Sequence, residues 1–344
     1  MVGLTETSSI PIIDLELARN GGPEDLAKVA HEVYQAFKYV GFAYIKNHGV
    51  PQDLVNEAFG WSAKFFGLPQ ADKDKAPHPP EGWYHRGYSG IGREKVVQMV
   101  FDENGIADCR KIPDVKESFE IGNETDERMR NIWIPEEVLP GFRGFFAKFY
   151  STCSDLETLM LRLIAIGMGL DEKFFLGYHT DRTNQCRLLH YPAVEEELLR
   201  LGKAERIAAH TDFGTMTILF QDEVGGLEVE DIHEKGKFNP APYIPSTAVV
   251  NIGDLLMRWS NHELKSTMHR VRAPPLVEVG NAEAGGGGST GRMTRPRYSI
   301  PYFISPDRDR LIECLPNCHG PDRPKKYEPI TSSDYIAMRM NATY

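Results

Sequence analysis

Apolar residues recur at helical spacing in the first half of the chain and in short alternating runs in the second. Ile10-Pro11-Ile12-Ile13-Asp14-Leu15 predicts a short opening strand, and after Pro23 the positions Leu26, Val29, Ala30, Val33 and Phe37 predict an amphipathic helix. Gly41 to Ile45 predicts a buried strand ending at the turn Asn47-His48-Gly49, and Leu54, Ala58, Trp61 and Phe65 mark a second helix. From Gly141 to about Gly169, the positions Phe142, Phe145, Phe149, Leu156, Leu159 and Leu163 describe one long helix with a broad packing face.

The pattern then changes period. Strand-like runs are predicted at 185–191, 215–220, 226–230, 247–252, 267–272 and 298–304, separated by turn residues. Short strands in succession without intervening helices predict a mainly β protein with flanking helices, built on an antiparallel barrel or double-sheet jelly roll and not on a Rossmann sheet. The expected organisation is an N-terminal α/β region with the long packing helix over 1–175, a jelly-roll core over 176–310, and a C-terminal tail and helix over 311–344, all in one compact unit. Residues 281–291, which include Gly285 to Gly288, form a glycine-rich insert expected to be a mobile hairpin extension.

Composition narrows the function classes. With 41% apolar and 26% charged residues the 344-residue chain has ordinary globular composition. Lys and Arg number 39 against 49 Asp and Glu, a net charge of −10, and no local basic patch offsets it; nucleic acid and anionic membrane are disfavoured as partners. The five cysteines, Cys109, Cys153, Cys186, Cys314 and Cys318, are scattered and odd in number, unlike a disulfide framework. Pro316 and the lack of partner ligands make Cys314 to His319 a surface loop in this reading, not a second metal site. The N-terminus has no basic start or apolar run, Val2 excludes N-myristoylation, and the stretch from Leu159 to Leu170 is too short to span a bilayer. A soluble cytoplasmic protein, monomeric by default and acting on a small molecule, is expected.

The candidate chemistry lies in the strand-rich half. If His210-Thr211-Asp212 is a strand, His210 and Asp212 share a face, and His269 in a later strand can join them. Two imidazoles and a carboxylate on one face of an octahedron suit non-haem Fe(II), with the opposite face open for chemistry. The same donors also suit a zinc hydrolase, although no general base stands beside them, and a His-x-Asp arises readily by chance. Arg297 and Ser299, again two apart, offer a guanidinium and a hydroxyl to one anion. The bland alternative is a surface salt bridge, but Arg297 adjoins the apolar run Tyr298-Ser299-Ile300-Pro301-Tyr302-Phe303, where an unpaired guanidinium is costly.

These motifs fall in an order that resembles the 2-oxoglutarate- and Fe(II)-dependent dioxygenases, in the branch that includes isopenicillin N synthase and plant flavonoid oxygenases. The likeness also takes in Ile10 to Asp14, Gly41-Phe42 through Gly49, Lys116 to Phe119, Arg187 to Pro192, Gly225-Gly226-Leu227, Asn251 to Asp254 and Lys265 to Val271. It implies a double-stranded β-helix core with Fe(II) held by His210, Asp212 and His269, and 2-oxoglutarate held at its distal carboxylate by Arg297 and Ser299, with Tyr191 helping. It also implies dioxygen as co-reactant and hydroxylation, desaturation or rearrangement of a small metabolite, secondary metabolism being the preferred setting.

Two departures stand out. Leu189 replaces the family's asparagine before Tyr191, and the gap between His269 and Arg297 carries the glycine-rich insert, which leaves Arg292 and Arg295 as competing anchors. Phe119, Phe213 and Phe303 are candidate pocket walls, each with core packing as its alternative. Rival functions are an iron oxidase of the same fold that does not use 2-oxoglutarate and a catalytically silent binding relative.

Overall fold

The computed structural model describes residues 10–81, 83–95, 111–112, 114–272 and 292–343. The N-terminal residues, Cys109 and the glycine-rich insert, on which expectations were placed above, lie outside the described residues.

The strands that build the two sheets are β1 (Ile12–Asp14), β2 (Phe42–Lys46), β3 (Gly87–Ser89), β4 (Glu117–Gly122), β5 (Gln185–Tyr191), β6 (Ile207–His210), β7 (Met216–Gln221), β8 (Leu227–Glu230), β9 (Phe238–Pro240), β10 (Thr247–Ile252), β11 (His269–Val271) and β12 (Arg297–Ile304). The principal helices are α1 (Pro23–Tyr39), α2 (Gln52–Phe66), α3 (Phe142–Gly167), α4 (Asp254–Trp259) and α5 (Ser332–Thr343). An eight-stranded sheet runs β1-β2-β10-β7-β12-β5-β4-β3, and a four-stranded sheet runs β6-β11-β8-β9. Every neighbouring pair is antiparallel except β1 with β2. The jelly-roll expectation holds, and strands β1 to β4 extend its larger sheet from the N-terminal part of the chain.

Period-two alternation divides the large sheet into two environments. One face carries Ala43, Ile45, Phe119, Ile121, Cys186, Leu188, Ile218, Phe220, Val250, Ile300 and Tyr302, all buried in the core that includes α1 and α3. The other face carries Phe42, Tyr44, Leu189, Tyr191 and Val249, which meet Ile207, Leu227, Val229 and Val271 of the small sheet. The space between the sheets is where polar residues of the inner face converge.

Pro23 opens α1 at a position where its missing N–H costs nothing, and the Asp25 side chain accepts the Gly22 N–H at 3.1 Å. The four described cysteines are free thiols, and Cys318 is buried in the main core, so the segment around it is not wholly a surface loop. Among the described residues no helix is long and apolar enough to cross a membrane.

Candidate active site

His210 and His269 stand directly opposite one another on β6 and β11. Their ring centroids are 4.3 Å apart. The Nδ1 of His210 bonds the Ala208 carbonyl at 2.8 Å and that of His269 the Thr267 carbonyl at 3.2 Å. Each Nδ1 therefore carries the proton, and each Nε2 presents a lone pair to the same point. Asp212 Oδ1 lies 3.9 Å from His210 Nε2 and 3.7 Å from His269 Nε2.

The strand expected to run through Asp212 stops at His210, so shared parity is not what brings the pair together. The chain turns at Thr211, and the larger sheet then captures the Asp212 side chain. Its Oδ2 accepts Thr217 Oγ1 at 2.6 Å and Asn251 Nδ2 at 2.7 Å, from the inner faces of β7 and β10. That leaves Oδ1 for the imidazoles. Gly253 permits the turn to pack closely, because a Cβ there would lie 2.3 Å from the Gly214 carbonyl oxygen.

The donor set fits a divalent transition metal. One candidate ligand atom from each of the three residues lies within 4.8 Å of the other two. Burial, then the neighbouring His269, holds His210 far below the usual imidazole range and so neutral. Burial pushes the Asp212 carboxyl up, but any charge on His269 and His210, with the hydrogen bonds from Asn251 and Thr217, brings it below the ordinary carboxylate value. Among the described residues no thiolate closes the set, so coordination positions stay available for small molecules.

The triad lies in a cavity of about 480 Å³ that runs in two directions. One end is built by β5, β12 and β7, where Tyr191 pairs with Arg297 and Ser299 pairs with Gln221. Arg297 is 1% exposed; it donates to Ser299 Oγ at 3.0 Å and to Gln221 Oε1 at 3.5 Å, and its guanidinium stands 5.0 Å from the Tyr191 ring centre. Its Nε has no hydrogen-bond partner among the described residues. A second buried guanidinium, Arg206, lies 5.9 Å from the same ring, with Nε and Nη1 likewise unpartnered. Burial and then Arg297 push the Arg206 pKa down to about 10, which leaves it charged. Arg297 lines the cavity, and its unpartnered Nε offers a donor to an anion there.

The other direction opens toward solvent. Its walls include Phe213, Phe303, Pro301 and the α5 residues Ile336, Ala337 and Met340. Arg187 and Glu94 bring charge to it, 3.1 Å apart, with Lys116 2.7 Å from Glu94 and Glu120 2.9 Å from Arg187. Phe213 and Phe303 line the cavity. Phe119 does not: its ring packs against Phe65 at 4.6 Å and Phe142 at 5.4 Å on the helix-facing side of β4. Parity explains this, since Glu120, next along the strand, is the residue that faces inward to Arg187.

Thr217, Asn251, Arg206, Arg187 and Glu94 were not given site roles in the sequence reading. For Thr217 and Asn251 a signal existed, polar residues alternating with Ile218 and Val250 in strands otherwise apolar. None marks Arg206 or Glu94.

Comparison with known proteins agrees with this geometry. Residues 10–136 match the model described as the non-haem dioxygenase in morphine synthesis N-terminal domain, and residues 182–306 match that of the 2OG-Fe(II) oxygenase superfamily. The chain belongs to the 2-oxoglutarate- and Fe(II)-dependent oxygenase superfamily. It is 40% identical over 327 residues to the proline hydroxylase buaE of Petromyces alliaceus, covering 94% of this chain and 96% of that protein. It is 37% identical over 339 residues to the 2-oxoglutarate-dependent dioxygenase frbA of Dothideomycetidae sp., covering 98% and 97%. The crystal structure of full-length Neurospora crassa T7H in complex with alpha-KG and thymine superposes with a TM-score of 0.86 at 38% identity, over 99% of each chain. The chain is an oxidoreductase that uses Fe(II) and 2-oxoglutarate to oxidise a small organic molecule.

Proposed function

We propose that this dioxygenase hydroxylates a small cyclic amino acid of the proline type, with Fe(II) held by His210, Asp212 and His269. Arg297 and Ser299 take the distal carboxylate of 2-oxoglutarate, and Tyr191 forms the floor beneath it. When bound, the ion supplies dioxygen activation: the 2-oxo acid loses carbon dioxide and becomes succinate with one oxygen atom, and the other enters the substrate C–H bond. The protein's own part is placement and exclusion of water. Asn251 and Thr217 hold one oxygen of Asp212 so that the other faces the imidazoles. Phe213 and Phe303 confine the substrate ring.

The substrate reading rests on the ion pair of Glu94 and Arg187, 3.1 Å apart on the wall of a largely apolar chamber, which a substrate carrying both a carboxylate and an ammonium would have to part. A carboxylate suits the guanidinium and a secondary ammonium suits the carboxylate, with the ring carbons left against the aromatic walls. The 40% identity to a protein named as a proline hydroxylase points the same way. A second reading is a pyrimidine: the T7H structure contains thymine, and an imide edge also offers one acceptor and one donor to such a pair.

Substrate-dependent succinate formation from 2-oxoglutarate, assayed with L-proline and with thymine, separates these readings. Hydroxyproline formed in step with succinate is the expected result. Stimulation by thymine alone transfers the assignment to the pyrimidine, and substrate oxidation without any need for 2-oxoglutarate overturns the cosubstrate role of Arg297 and Ser299.

A further inference from the structure

Asp254 opens α4 just behind the metal ligands, and its buried carboxylate gathers donors from three distant parts of the chain. Oδ2 accepts the Thr211 hydroxyl at 3.0 Å, the Tyr335 hydroxyl at 3.1 Å and an N–H of Arg339. Oδ1 accepts the Ser266 hydroxyl at 2.7 Å. The backbone N–H of Asp254 donates to the Asp212 carbonyl at 2.8 Å. Thr211 sits between His210 and Asp212, and Ser266 precedes His269 in the same segment. One carboxylate therefore touches both chain segments that carry the three ligands.

Tyr335 and Arg339 come from α5, spaced so that they share one face of the helix. The adjoining stripe of the same helix, Ser332, Ile336 and Met340, lines the substrate chamber. Arg339 also lies 4.2 Å over the ring of Phe213, which follows Asp212 and forms part of the same chamber wall. A helix near the end of a chain tends to fray unless it is tied down. Here the tie is a buried ion pair, which is retained only when good geometry and further hydrogen bonds offset its desolvation.

We propose that Asp254 and Arg339 are positioning residues that couple docking of the C-terminal helix to the metal centre. Docked, α5 completes the chamber wall and fixes Asp254, and Asp254 holds the Thr211 and Ser266 hydroxyls and the Asp212 carbonyl, in the two segments that carry the ligands. Partners of this kind orient metal ligands and govern affinity. Linkage makes the effect reciprocal: a metal bound more tightly when the helix is docked must itself hold the helix down by the same factor. The proposal rests on His210, Asp212 and His269 being the iron ligands.

The test uses Co(II) titrated into the metal-free full-length protein by calorimetry, with amide exchange of residues 332–343 followed with and without Co(II). The parent is expected to bind Co(II) and to show slower exchange in that helix when it does. Arg339→Gln and Thr211→Val are each expected to bind Co(II) at least tenfold more weakly, by the usual effect of such partners, and to lose the response of helix exchange to Co(II). Thr211→Val removes one hydroxyl at nearly constant shape, leaves the Asp254–Arg339 pair in place and is expected to fold and to keep the metal-free helix protection, so it decides the matter even where Arg339→Gln fails to fold. A parent helix that ignores Co(II), or a Thr211→Val variant with affinity within twofold of the parent, overturns the coupling. A parent that binds no Co(II) overturns the metal assignment beneath it.

Discussion

Arg297 is buried in the middle of a sheet with one N–H unpartnered among the described residues, and that combination gives its role a measurable size. Hydrogen bonds from a charged donor contribute about 1.5–3 kcal/mol each, so Arg297→Met is expected to raise the KM for 2-oxoglutarate roughly ten- to a hundredfold. The kcat at saturating cosubstrate should fall much less, because the reacting end is held at the metal. Steady-state titration of 2-oxoglutarate checks this, and an unchanged KM sinks the assignment. Arg206 reaches the same ring from one residue before β6 and adds charge without a hydrogen bond to Ser299, so Arg206→Met should produce the same kind of change, smaller in size. Of these two cations the sequence made only Arg297 legible. A serine two positions on, inside an apolar strand, marks a side chain that needs an anion. Arg206 stands in a polar stretch where nothing distinguishes a buried guanidinium from a solvated one.

At the scale of elements, α3 shows how a correct helix can conceal a functional or titratable group. Its length and apolar face follow from the spacing of phenylalanine and leucine, yet Glu157 occupies a core position beside Leu156 and Met160 and reads from sequence as a polar-face residue. In the structure it accepts the Asn184 amide at 2.6 Å and the Ser154 hydroxyl at 3.3 Å, and burial pushes its carboxyl up to about 8. The folded state thus keeps a proton that the unfolded chain releases above the ordinary carboxylate range. Stability is therefore highest below about pH 4.5 as far as this group is concerned, and it falls by about 1.4 kcal/mol per unit until the pH passes the folded value near 8. The sum is on the order of 5 kcal/mol. Glu157→Gln should remove this slope, so that urea unfolding of the variant at pH 5 and pH 8 differs less than that of the parent. Equal pH dependence in the two proteins argues that Glu157 is ionised in the fold. Strand β4 illustrates the opposite failure: Ser118 and Glu120 alternate with Phe119 and Ile121, and that parity decides between the two roles open to Phe119, core packing rather than a pocket wall.

For the whole molecule, the jelly roll, the His-Asp-His cluster and the pairing of Arg297 with Ser299 were readable because each rests on spacing within one strand or on motif order along the chain. The tie from Arg339 to Asp254 was not, since it joins residues 85 apart through a single buried pair that leaves no local pattern. The same global arrangement fixes an order of events. Trp83, 50% exposed, stands at the mouth of the cavity, the triad lies further in, and Arg297, 1% exposed, closes the far end. Arg297 and Ser299 share one cavity with the metal ligands and with the chamber walled by Phe213, Phe303 and α5. Where that chamber is the way out for a molecule bound at Arg297, a substrate seated in it blocks release. 2-Oxoglutarate is therefore expected to bind first, and saturating substrate should slow its release from anaerobic protein loaded with Co(II) in place of iron. A chase with unlabelled 2-oxoglutarate measures that release. A dissociation rate that is the same with and without substrate means the anion arm has its own route to solvent, and the single-entrance geometry does not govern binding.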